Sequence, residues 1–180
     1  MKICLLEKKI LNNGEFKSKI KINEEMFLRA AKLISKDIIN CYDIKSKKVG
    51  LLGIARGAMP LLVTTAHYLD IRKISVMQVQ MTNSDCIKDY GPVHFINEML
   101  VPDVEEFIIL EDIVSYGRCS NLAINRLKNQ GKNVKGVYSI VMNKAFEALD
   151  YDMENIDLKY VYMINDKQWV HFFWEKGYLD

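Results

Sequence analysis

Phe107-Ile108-Ile109-Leu110-Glu111-Asp112-Ile113-Val114-Ser115-Tyr116-Gly117-Arg118-Cys119-Ser120 is the stretch on which the fold of this chain turns. Four apolar residues run into two adjacent carboxylates. Two more apolar residues follow, then a short polar turn around a glycine, then a helical pattern over 121–129. An apolar run of this length, bounded by a turn, predicts a strand buried on both faces of a parallel sheet. The carboxylates then sit at its carboxyl end, where open α/β sheets bind their ligands. The turn after them offers backbone N–H groups and a helix N-terminus, which suit a phosphate. Acid pair, phosphate cradle and helix start come from one segment, and together they point to a phosphorylated sugar held near a divalent metal.

Outward from this segment, strands and helices alternate. Toward the N-terminus, residues 48–55, uncharged from Val49 onward, predict another buried strand. It ends in Arg56-Gly57-Ala58-Met59-Pro60, and a helix is expected to follow to about Leu69. Residues 74–80 alternate like a strand with one wet face. Residues 82–92, mostly polar and ending in Gly91-Pro92, are the most loop-like part of the chain, and a polar loop of this length in a compact domain is often functional. Residues 93–101 predict a short strand leaving that loop. Earlier in the chain, Asn23 is placed to cap a helix running to about Asn40, with Phe27, Ala30, Ala31, Ile34, Ile38 and Cys41 on its apolar stripe and Lys32, Lys36 and Asp37 outside it. Toward the C-terminus, residues 134–142 and 159–164 are strand candidates. The aromatic tail 167–175 is expected to pack over the sheet. This alternation predicts an α/β fold: a central, mostly parallel sheet flanked by helices, with right-handed crossovers and a small C-terminal hood.

At 180 residues the chain is expected to be a single domain, residues 1–180, with a core of about 24–145 and a hood made from about 146–180 together with the N-terminal residues. The net charge of +2 is scattered, which gives no electrostatic reason to expect a nucleic-acid partner. The longest uncharged run of the first helical half, residues 57–69, is too short and too polar to span a bilayer, so no membrane partner is expected. The N-terminus lacks the apolar core and cleavage site of a signal peptide. The four cysteines show no CxxC spacing and read as free thiols in a reducing cytoplasm.

The candidate site residues follow from position and chemistry. Glu111 and Asp112 are the metal–ribose pair, since magnesium takes few carboxylates and fills its shell with substrate oxygens and water; the alternative is two solvated acids at a strand end. Ser115, Tyr116, Gly117, Arg118 and Cys119 form the phosphate loop, in which Gly117 permits close backbone approach; the alternative is a plain strand-to-helix turn. Arg56 and Gly57 repeat this arrangement at a second strand end, where N–H groups and a cation suit a pyrophosphate leaving group or simply cap a helix. Lys144, just past a strand, either donates to a carbonyl of a bound base or ends the strand in solvent. Trp169 either stacks on a planar ring or fills the core.

Taken together these segments resemble the type I phosphoribosyltransferases, whose signature is four apolar residues, two acids, two apolar residues and a small loop. Ala55-Arg56-Gly57-Ala58, with Pro60 after it, resembles the pyrophosphate loop of that family. The resemblance covers roughly residues 45–175. It implies binding of 5-phosphoribosyl-1-pyrophosphate with Mg²⁺ and displacement of pyrophosphate by a nitrogen of a nucleobase. It assigns Glu111, Asp112 and Arg56 as the catalytic group, with the first two also at the metal. Ser115–Cys119 are assigned to the 5′-phosphate, and Arg56 and Gly57 to pyrophosphate through a non-proline cis peptide. Residues 82–92 would be a lid. It also implies a homo-oligomer, a dimer or tetramer.

Within the family, the tail 167–175 looks like the hood of the hypoxanthine, guanine and xanthine enzymes. Trp169, Val170 and Lys144 match the base-binding positions, which implies a 6-oxopurine. Three positions depart from that subgroup. Ser115 stands where an aspartate assists proton transfer, Tyr116 where a small residue is usual, and Cys119 where a hydroxyl donates to phosphate. These departures raise two alternatives: a nucleotide- or phosphoribosyl-sensing protein without catalysis on the same fold, or a transferase with an unusual acceptor.

Overall fold

The computed structural model describes residues 3–5, 20–46, 48–82, 90–144, 156–164 and 169–175. In chain order they form β1 (Ile3–Leu5), β2 (Ile20–Ile22), α1 (Glu24–Cys41), β3 (Val49–Ala55), α2 (Met59–Leu69), β4 (Ile74–Thr82), β5 (Tyr90–Met99), β6 (Glu106–Val114), α3 (Arg118–Asn129), β7 (Asn133–Asn143), β8 (Asp157–Ile164) and β9 (Val170–Phe172). Seven strands make the central sheet in the order β1-β8-β7-β6-β3-β4-β5. Every pair is parallel except β4–β5, an antiparallel edge pair. A second, two-stranded sheet joins β2 to β9 in parallel, so that a segment near the N-terminus and one near the C-terminus meet. The fold is the expected mixed α/β arrangement around a mostly parallel sheet.

Strand residues point alternately to opposite faces, and β6 follows this rule. Phe107 and Ile109 belong to the apolar cluster that includes Ala123, Ile124 and Leu127 of α3. Ile108 and Leu110 belong to the cluster that includes Phe27, Ala30, Ile34 and Ile38 of α1 and Leu61 and Leu62 of α2. Helices therefore cover both faces, which is why the central strands read as continuous apolar runs. The α1 cap is as predicted: the Asn23 side chain accepts from the Met26 N–H at 2.8 Å.

Four expectations need correction. The acids of β6 lie inside the strand, because Ile113 and Val114 go on pairing with Val141 and Met142 of β7. The helix after the turn begins at Arg118, three residues before the periodic pattern, since a helix can start before its first buried residue. Tyr90, Gly91 and Pro92 belong to β5 and not to the loop, Thr82 belongs to β4, and the rest of the predicted lid lies outside the described residues. On α1, Asp37 is drawn toward the sheet: its carboxylate accepts from Lys159 at 2.7 Å and from the Tyr138 hydroxyl at 2.6 Å, while Cys41, expected on the apolar stripe, is exposed. Helical periodicity could not reveal a partner 122 residues away.

Candidate functional site

β3 and β6 are parallel neighbours, with Gly53 in register with Leu110, so the two predicted ligand loops leave the sheet side by side at its carboxyl edge. Between them stand the two acids, and strand alternation sends them apart. Glu111 turns toward α3, where its carboxylate accepts a hydrogen bond from the Ser120 hydroxyl; both residues are buried. Asp112 turns the other way and lies against Gly57, at the place where a β-carbon on that residue would sit.

Burial is the main influence on both acids. It pushes the Glu111 carboxyl up to about 8, against the opposing Ser120 hydrogen bond and with a further push from the Asp112 charge. Burial likewise pushes Asp112 up to about 6, opposed by the backbone N–H of Ile113 and its own N–H, with Glu175 adding repulsion. A cation or sugar hydroxyls at the pair would offset this cost of burial.

The loop after β6 turns on Gly117 into α3. Gly117, at φ 70°, caps α3 without any side-chain hydrogen bond at the cap, and the Asn121 N–H closes the first turn on the Gly117 carbonyl at 2.8 Å. Left-handed backbone is easy only for glycine. Ser115 is buried. The Arg118 guanidinium lies 4.8 Å above the centre of the Tyr116 ring, keeping a cation at the helix N-terminus. The half-buried Cys119 thiol is pushed far above the ordinary thiol range, first by burial and then by the charges of Glu111 and Asp112, so it stays protonated.

At the end of β3 the Ala55–Arg56 peptide is cis. Arg56 is exposed and Ala58 is buried; the Met59 N–H reaches the Arg56 carbonyl at 3.1 Å as α2 starts, with Pro60 in its first turn. Gly57 is thus brought against Asp112, with the exposed Arg56 next to it in the chain.

The base-binding candidates are less closely drawn in. Lys144 is exposed at the end of β7, its N–H donating to the Ile164 carbonyl at 2.8 Å. Trp169 is half-buried at the entry to β9, and Val170 is buried and pairs with Ile20. Among the described residues, no hydrogen bond, ion pair or ring contact joins these three to the acids. The tail is anchored by aromatic packing: Phe27 of α1 meets Phe173 and Trp174 at 5.4 and 5.3 Å between centroids.

Two residues of this region escaped sequence reasoning. Ser120 ends the quoted segment, ahead of the helical pattern over 121–129, and its place in the sequence gives it no role of its own. Glu175 follows β9, accepts from the Phe172 N–H at 3.0 Å and adds its charge to the surroundings of Asp112. A surface groove lined by Val63, His67, Asp70 and Arg72 lies at the amino edge of the sheet, away from the acids, and has no counterpart in the predicted chemistry. No cluster of three or more potential metal ligands occurs among the described residues. No helix among them is long and apolar enough to cross a membrane.

No protein-family model matches the chain. It is 26% identical over 127 residues to an orotate phosphoribosyltransferase of Haloquadratum walsbyi; the match covers 68% of this chain and 63% of that relative. Among solved structures, a purine phosphoribosyltransferase from Pyrococcus horikoshii superposes with a TM-score of 0.64 at 18% identity, covering 88% of this chain and 94% of that one. A protein from Neisseria gonorrhoeae with bound ppGpp gives a TM-score of 0.67 at 16% identity, covering 89% and 92% of the two chains.

Proposed function

The chain has the type I phosphoribosyltransferase fold, and from that premise we propose that it transfers ribose 5-phosphate from 5-phosphoribosyl-1-pyrophosphate to a nucleobase, releasing pyrophosphate. The observation that carries this reading is the Gly57–Asp112 contact, which joins the candidate pyrophosphate loop to the acid pair of the adjacent strand. In this reading Glu111 and Asp112 hold the ribose hydroxyls. The N–H groups and side chains of Ser115, Tyr116, Gly117, Arg118 and Cys119 hold the 5′-phosphate. Arg56 and the backbone at Gly57 neutralise the departing pyrophosphate. The base nitrogen attacks the anomeric carbon as the C–O bond to pyrophosphate breaks, and the enzyme contributes by orientation and charge placement.

Mg²⁺ fits the donor set: hard carboxylates suit a cation that takes few of them and completes its shell with substrate oxygens and water. Asp112, beside the pyrophosphate loop, would hold it, with Glu111, on the other face of β6, serving through a water of its shell or through the sugar hydroxyls, and the cation's charge would help neutralise the leaving group. The acceptor we propose is a 6-oxopurine, with Trp169 stacking, Val170 reading the base edge and Lys144 meeting the oxo group. A role in purine salvage in the cytoplasm, as a homo-oligomer, completes this reading.

A second reading is favoured by the ppGpp-bound neighbour together with Ser115, Tyr116 and Cys119: a nucleotide sensor without turnover. Pyrophosphate release with Mg²⁺, the phosphoribosyl donor and a panel of bases separates the two. Release with hypoxanthine, guanine or xanthine supports the transferase; thermal stabilisation by nucleotide with no release from any base rejects it in favour of the sensor.

A further inference from the structure

α1 and α3 each carry a buried serine, and the two are used differently. Ser35 in α1 donates to the carbonyl one turn back, Ala31, at 2.7 Å. This is the ordinary way a helix satisfies a buried hydroxyl. Ser120, fully buried in the first turn of α3, instead donates across to Oε2 of Glu111 on β6. Among the described residues that hydroxyl is the hydrogen-bond partner of the Glu111 side chain. One carboxylate oxygen is thereby taken, leaving Oε1 for a ligand.

The position of Ser120 gives this bond a second consequence. Ser115–Cys119 lead directly into it, so the residue that fixes the acid belongs to the same turn as the candidate phosphate loop. A ribose 5-phosphate molecule has a fixed distance between its ring hydroxyls and its phosphate. A site that grips both ends must hold the acid and the loop at a matching distance, and small misplacements are costly. We propose that Ser120 is a positioning residue for the sugar phosphate: it locks Glu111 to the helix that carries the phosphate loop and so sets the spacing between the two grips. This rests on the transferase reading above, and its substrate is the phosphoribosyl donor and not the base.

The test compares Ser120→Ala with Ser35→Ala, the same substitution at a buried helical serine remote from the acids. Ser120→Ala is expected to raise the KM for the phosphoribosyl donor about tenfold, the scale of one lost buried hydrogen bond, while the KM for the base stays unchanged. Ser35→Ala is expected to leave both unchanged. Combining Ser120→Ala with Glu111→Gln should cost far less than the sum of the two. Equal shifts in both KM values, an unaltered donor KM, or the same effect from Ser35→Ala would overturn the assignment. Should Ser120→Ala not fold, Ser120→Cys, close in volume but a weak donor, is read in the same way. If the unaltered protein releases no pyrophosphate, the catalytic reading fails on its own. The comparison then moves to the calorimetric Kd for the donor with Mg²⁺, where a tenfold weakening supports the role of Ser120 and no change rejects it. An unaltered protein that does not bind the donor at all would overturn both.

Discussion

Gly57 lies so close to the Asp112 carboxylate that the acid fills the space of the missing β-carbon. Gly57 lies in the loop after β3 and Asp112 within β6, so this contact joins two segments that the sequence presents separately. Gly57→Ala should therefore force either the loop or the carboxylate aside. We expect kcat/KM to fall about 100-fold, with a stability loss of about 1–3 kcal/mol from overpacking. Steady-state kinetics and urea denaturation measure the two; near-normal kinetics in a folded variant would separate Asp112 from the site.

Asp112→Asn keeps the shape of the side chain and removes its charge. Donor affinity with Mg²⁺ should drop about tenfold or more, because an amide is a poor ligand for a hard cation and a weaker acceptor for sugar hydroxyls. Isothermal titration with the phosphoribosyl donor reads this directly, and an unchanged Kd would place the metal and the ribose elsewhere.

The acid pair also predicts an inverse pH dependence of stability in the ligand-free, chelator-treated protein. Glu111 and Asp112 are pushed up to about 8 and about 6, above their unfolded values. A carboxyl raised on folding contributes stability that is complete below its unfolded value and is lost as pH rises through the folded one. The midpoint of thermal unfolding should fall by about 5 °C or more between pH 5 and pH 8. Glu111→Gln should flatten the curve. A midpoint that rises over this range in the unaltered protein, with the same slope in the variant, would show that these acids ionise freely in the folded state.

The Asp37–Lys159 pair behaves in the opposite sense. Burial raises the Asp37 carboxyl, but the Lys159 and Tyr138 hydrogen bonds outweigh it and hold the carboxyl below its ordinary value. Its contribution is thus present above the unfolded value near 4 and disappears as pH falls. Lys159→Met should cost about 1–3 kcal/mol at pH 7, since it removes the cation from a half-buried carboxylate. The difference from the unaltered protein should shrink toward pH 3. Urea unfolding at the two pH values tests this, and a gap that stays constant would mean that packing of the lysine stem, not its charge, sets the cost.

The main elements were legible in the sequence because their patterns are local. The apolar run before Glu111 could only be a strand covered on both faces, and the alternation of strands with helical periods left a parallel sheet as the solution. The cap at Asn23 and the turn at Gly117 carried their own chemistry. Boundaries were less legible at Val114 and Arg118, because strand pairing with β7 and helix initiation extend past the last residue that periodicity marks.

What the chain determined by itself was which residue types stand at the carboxyl ends of β3 and β6, since that depends only on spacing along one segment at a time. What only tertiary structure decided is where those residues point and whom they meet. Neighbouring acids on a strand must diverge, so Glu111 finds Ser120 on one face and Asp112 finds Gly57 on the other, while Asp37 finds Lys159 across most of the chain. Such meetings are set by crossovers and by the requirement that buried polar groups be satisfied, and neither is written in any single stretch of residues.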